Sequence, residues 1–119
     1  MVWLKFYTKE RERFPEAFNC VVSDEEAHAV VKKLKRHFKV PLLWVKFWSR
    51  KRQTGHAKEL GVCLPHNPSI GVICHELAHI HNKHKYGNWR HDKKLMTTLA
   101  QFVRYCQKKN YWQQEPRRR

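Results

Sequence analysis

Residues 75–79 read His75-Glu76-Leu77-Ala78-His79, an HExxH pentapeptide. Its chemistry requires a helix. Two histidines four residues apart on a helix share a face, with Cβ atoms roughly 6 Å apart, so both imidazoles can reach one Zn2+ at about 2.0–2.1 Å. Glu76 is one step round from His75, beside the ion and not on it. There it is placed to take a proton from water, the general-base role this motif carries.

The chain is rich in histidine, so chance has to be weighed. With 9 His among 119 residues, random shuffling produces the pattern about 0.04 times per chain. The flanking residues favour a real site. Ile70, Ile73, Leu77 and Ile80 recur at three- and four-residue steps, the spacing of one buried helical face, and both histidines avoid that stripe. Asn67-Pro68-Ser69 supplies entry and capping residues just upstream, and Gly87 stands where a left-handed C-cap would end the helix.

Working outward, Ser23-Asp24-Glu25-Glu26 is a capping box that predicts a helix to about Phe38, with Ala27, Val30, Val31, Leu34 and Phe38 facing inward. Acids in its first turn and Lys and Arg in its last complement the helix dipole. Val2–Tyr7 alternates and predicts a strand, followed by a charged loop through Glu16. Pro41–Ser49 and Ala57–Leu64 read as two strands joined by a polar turn over Arg50–Gly55, a hairpin leading into the HExxH helix. Asn88 is a candidate cap for a last helix bearing Leu95, Met96, Leu99, Phe102, Val103 and Cys106 at helical spacing. These elements predict one α+β domain over 1–112, a small mixed or antiparallel sheet against three main helices, and a disordered basic tail over 113–119.

Catalytic zinc takes three protein ligands and keeps one position open. His81 falls on the opposite helical face. His84, five residues past His79, would require an early helix end. His91 follows the Gly87 turn near the start of the next helix, where the chain doubles back; it is the favoured ligand, with His84 and Asp92 as weaker options. Cys63 is a remote fourth candidate, since Gly61-Val62-Cys63-Leu64 only faintly echoes the metal-binding cysteine of peptide deformylases.

The remaining cysteines, Cys20, Cys74 and Cys106, form no CxxC pair with it or with each other, and the four read as buried or half-buried thiols in a reducing compartment. No apolar run approaches a membrane span, and the N-terminus lacks a signal-peptide layout, so an intracellular location is expected. A phage or bacterial source would suit so small a chain. Net charge is +15, and it is not confined to a tail: residues 1–60 carry 14 basic and 7 acidic side chains, residues 61–119 carry 11 and 3. Such a field attracts polyanions, nucleic acid the commonest. Basic runs such as Lys32-Lys33-Leu34-Lys35-Arg36 and Ser49-Arg50-Lys51-Arg52 stand beside aromatics such as Trp48, although no named DNA-binding motif is present.

A strand, a short link, HELAH, a turn and then His91-Asp92-Lys93-Lys94-Leu95 resembles the SprT-like and WLM groups of small zincin metallopeptidases. Those groups place a third histidine in a short His-Gly/Asp/Asn-x-x-Phe motif before the next helix. His91 matches that ligand, while Leu95 stands where the family has Phe. The likeness covers roughly residues 41–103, and no C-terminal zinc ribbon is seen. It implies a zincin-like fold and proteolysis, in some members of proteins attached to DNA.

The expected activity is thus a metallo-endopeptidase holding one Zn2+ on His75, His79 and His91, with Glu76 as general base. A protein or peptide substrate would extend along an edge strand near Glu59, Leu60, Gly61, Val62 and Cys63. Tyr86, Trp89 and His84 are secondary candidates for an oxyanion donor. Two alternatives stand beside it: a basic nucleic-acid-binding protein with a structural or vestigial zinc site, and a zinc amidohydrolase acting on a small amide.

Overall fold

The computed structural model describes residues 2–48, 56–58, 61–87 and 89–109. They form, in chain order, helices α1 (Val2–Arg13), α2 (Pro15–Asn19) and α3 (Asp24–Phe38), strands β1 (Trp44–Trp48), β2 (His56–Lys58) and β3 (Gly61–Pro65), and helices α4 (Ile70–Tyr86) and α5 (Lys93–Lys108). The architecture is α+β, and no helix among the described residues is long and apolar enough to cross a membrane. The expected turn at 50–55, the Asn88 cap and the 113–119 tail lie outside the described residues.

Local capping chemistry starts the long helices. Ser23 Oγ accepts from the Glu26 N–H at 3.0 Å while Glu26 Oε1 accepts from the Ser23 N–H at 2.9 Å, the reciprocal box its sequence predicts. Ser69 caps α4 by accepting from Val72 N–H at 3.1 Å, and Gly87 ends it in the left-handed region at φ 81°. The cap of α5 is Asp92, whose Oδ1 accepts from Leu95 N–H at 3.1 Å.

The N-terminal expectation is corrected: Val2–Tyr7 is the first half of a helix, not a strand, and the charged stretch after it continues α1. Short apolar runs do not separate the two periods. The helix-forming Lys, Glu and Arg residues that follow favour α1, and so does the burial of Phe6 and Glu10, one helical turn apart.

The sheet has order β1-β3-β2. β1 runs parallel to β3 from Trp44 opposite Gly61 to Trp48 opposite Pro65, whereas β2 is antiparallel to β3 with Ala57 opposite Val62. The expected hairpin between 41–49 and 57–64 is therefore corrected. The second segment itself folds back as β2–β3, and β1 reaches β3 in parallel. Gly61, Val62 and Cys63 consequently sit in the central strand, paired on both sides, and are not a free edge; Glu59 and Leu60 lie outside the described residues. Gly61 is needed there, because a Cβ would fall 1.8 Å from the Trp44 ring.

α4 is the centre of the fold. It packs against α2, α3, α5, β2 and β3, and every residue from Ile70 to Ile80 is buried. The expected one-sided apolar stripe is thus replaced by burial all round, the pattern of a central helix. Gly71 admits α2: a Cβ there would come within 2.4 Å of the Phe18 ring. On the α5 side, Thr98 Oγ1 donates to buried Asn82 Oδ1 at 2.8 Å, and the thiols of Cys74 and Cys106 meet at 3.8 Å. Burial pushes the Cys74 thiol well above its ordinary value, so it packs as a small apolar group.

The turn into α4 is held by Asp24, the first residue of α3. Its Oδ1 accepts from Asn67 N–H at 2.7 Å and its Oδ2 meets His66 Nδ1 at 2.6 Å, bracing Asn67 in the left-handed region at φ 53°. Burial works against the Asp24 charge, but the Asn67 N–H and the His66 ring outweigh it and hold the carboxyl below its ordinary value of 3.8. A carboxyl depressed in the fold stabilises above its unfolded value and loses that contribution as pH falls through the folded one. Asp24→Ala should therefore lower the melting temperature at neutral pH, with the gap to wild type closing as pH drops below 3.8 in a melting series.

Candidate metal centre

Three imidazoles meet at the middle of α4. His75 and His79 come from successive turns, and the chain after Gly87 returns His91 to them immediately before the Asp92 cap. One nitrogen from each ring lies within 4.8 Å of the others. His79 Nε2 and His91 Nε2 are 3.2 Å apart. Two nitrogens on one tetrahedral zinc at the usual bond length stand about 3.3 Å apart, so this spacing suits a shared ion. His75 and His79 are 3% and 7% exposed, and His91 is half-buried.

Sequence reading missed two residues of this site, both on α1. Glu10, 1% exposed, places Oε1 at 2.7 Å from His75 Nδ1, and Phe6 sets its ring edge-on to His75 and His91 with centroids 5.9 and 5.3 Å away. Because Nδ1 of His75 faces Glu10, Nε2 is the nitrogen it offers the cluster. No periodicity signal marked Glu10 within Lys9-Glu10-Arg11-Glu12-Arg13; only its spacing of four from Phe6 sets it apart.

The electrostatics match a cation. Burial, helped by Arg11, pushes His75 down to about 3, and burial with the neighbouring His75 and His91 pushes His79 to about 3. Burial and His75 also lower His91. All three rings are therefore neutral near pH 7, the form that ligates metal. Burial, with Glu10 nearby, raises Glu76 to about 8; burial raises Glu10 to about 8 against the opposing pull of Arg11 and His91. Two carboxyls kept out of water beside three uncharged rings favour a divalent ion, whose charge reverses their reluctance to ionise. His79 Nδ1 is itself buried without a hydrogen-bond partner. The residues present fit zinc by donor type, spacing and charge.

The other candidates are elsewhere. His84 is exposed near the end of α4, which continues to Tyr86. His81 Nδ1 meets Asn82 Oδ1 at 3.1 Å and its ring packs edge-on to Phe102. Cys63 is buried in β3, outside the cluster, and Asp92 spends its Oδ1 on capping α5. Tyr86 is exposed between Lys85 and Lys94, whereas half-buried Trp89 stands 6.2 Å from His79, ring to ring. Comparison with family models, curated proteins and solved structures finds no match in any of the three.

Replacing His91 with Ala should abolish stoichiometric zinc binding by the purified chain, while His84→Ala retains it. Elemental analysis after dialysis reads the difference.

Proposed function

We propose that the chain is a zinc-dependent endopeptidase resembling the SprT-like and WLM zincins. The observation that carries this reading is the convergence of His75, His79 and His91, with buried Glu76 following His75 in the chain. Bound zinc supplies Lewis acidity toward water and toward a substrate carbonyl. His75, His79 and His91 would hold the ion as neutral ligands and leave its positive charge uncancelled. Glu76 accepts the proton that attacking water gives up and passes it to the leaving amine as the peptide bond breaks. Its burial keeps bulk water from competing for that proton.

The peptide-binding edge is reassigned with the sheet. Among the described residues β2 is the antiparallel outer strand and packs against α4, so its outer edge is where an extended substrate would add. Backbone pairing reads little side-chain sequence, which suits selection by access and tethering.

Cleavage of casein or a quenched peptide should be lost with a chelator. It should fall roughly 10²- to 10⁴-fold in Glu76→Gln while zinc stays bound. Undiminished cleavage by Glu76→Gln overturns the mechanism.

A second reading, polyanion binding, has its own support at the far ends of α3 and α5. A cleft of about 680 Å3 is lined by His37, Phe38, Arg104, Tyr105, Lys108 and Lys109. His37 stacks on Tyr105 at 4.4 Å, Lys109 Nζ lies 5.8 Å over the same ring, and α5 contains no acidic residue. Aromatic faces beside cations suit the bases and phosphates of single-stranded nucleic acid. Arg104→Glu with Lys108→Glu should weaken binding of a labelled oligonucleotide at least tenfold at low salt, measured by anisotropy. Equal binding by this double variant removes the cleft from consideration.

A further inference from the structure

We infer that Glu10 is a positioning residue for the ligand His75, which makes the N-terminal helix α1 a structural part of the metal centre. This inference rests on the zinc reading above.

Within Lys9-Glu10-Arg11-Glu12-Arg13, Glu10 alone is buried, at 1% exposure, while its four charged neighbours face solvent. Removing a carboxylate from water costs several kcal/mol unless strong partners replace the lost hydration. An apolar residue would fill the position at no such cost. The carboxyl is spent on one ring nitrogen, His75 Nδ1, at 2.7 Å and across 65 residues of sequence. Glu10 is not among the three residues whose donor atoms lie within 4.8 Å of one another, so it meets His75 from outside that set.

A carboxylate accepting from Nδ1–H fixes the tautomer that presents Nε2, locks the ring's rotation and raises the basicity of the ligating nitrogen. Phe6, one turn earlier on the same face of α1, lies edge-on to His75 and His91 and limits how either ring can turn. α1 thus orients two of the three donors, although none of its residues is a ligand.

The test uses the full chain and compares wild type, Glu10→Ala and Glu10→Gln. Zinc affinity is measured by competition with a chromogenic chelator, melting temperature with and without zinc, and the visible absorption of the cobalt-substituted protein. Glu10→Ala should weaken zinc binding roughly 10- to 100-fold, reduce the zinc-induced rise in melting temperature and alter the cobalt bands. Glu10→Gln keeps an acceptor but not the charge, and should fall between it and wild type. A Glu10→Ala variant with wild-type zinc affinity and cobalt bands, whose melting temperature drops equally with and without zinc, would make Glu10 a packing group and overturn the inference. Should Glu10→Ala fail to fold, Glu10→Gln decides alone: weaker binding supports the inference and unchanged binding overturns it. Failure of wild type itself to bind zinc would fell the zinc reading first, an outcome distinct from equal binding by all three proteins.

Discussion

The desolvation of α4 is the constraint on which the other elements depend. A helix packed on nearly every side is normally apolar throughout, yet this one carries His75, Glu76, His79 and Asn82 into the interior. Polar groups buried this deeply destabilise the fold unless each meets a partner. α1 brings Glu10 to His75, α5 brings Thr98 to Asn82, and the return after Gly87 brings His91 to His79. Core and site are therefore one construction: the elements that cover the apolar residues of α4 also supply partners to His75, His79 and Asn82.

What could be read from the chain was what nearest neighbours determine. The Ser23–Glu26 box, the Ser69 cap and the Gly87 stop are settled within four residues of sequence, so their chemistry is visible before any fold exists. The spacing of His75 and His79 is equally local, and the Gly87 turn pointed to His91. What stayed hidden was decided by tertiary partners. Val2–Tyr7 looks like a strand until Phe6 and Glu10 are seen on one buried face. The parallel pairing of β1 with β3 depends on Gly61 accepting the Trp44 ring, which no alternation pattern records. Glu10 lay unseen because a carboxylate in a charged run looks solvated, and only the histidine 65 residues away gives it a different role.

Charge is distributed in two regimes. The formal +15 belongs mainly to exposed Lys and Arg side chains, where water and salt screen it. Glu10 and Glu76 instead lie in the interior, where burial raises both to about 8, well above the ordinary carboxyl value. A chain basic to its surroundings thus keeps its titratable interior groups close to neutral.

The Asp24 clamp has a dynamic consequence. It joins the first turn of α3 to the loop that launches α4, across 42 and 43 residues of sequence. Each helix start keeps its own cap, and the Asp24 carboxyl couples the two. The two should therefore exchange their amide hydrogens in concert, so the entrance to the HExxH helix is tied to the first turn of a distant one.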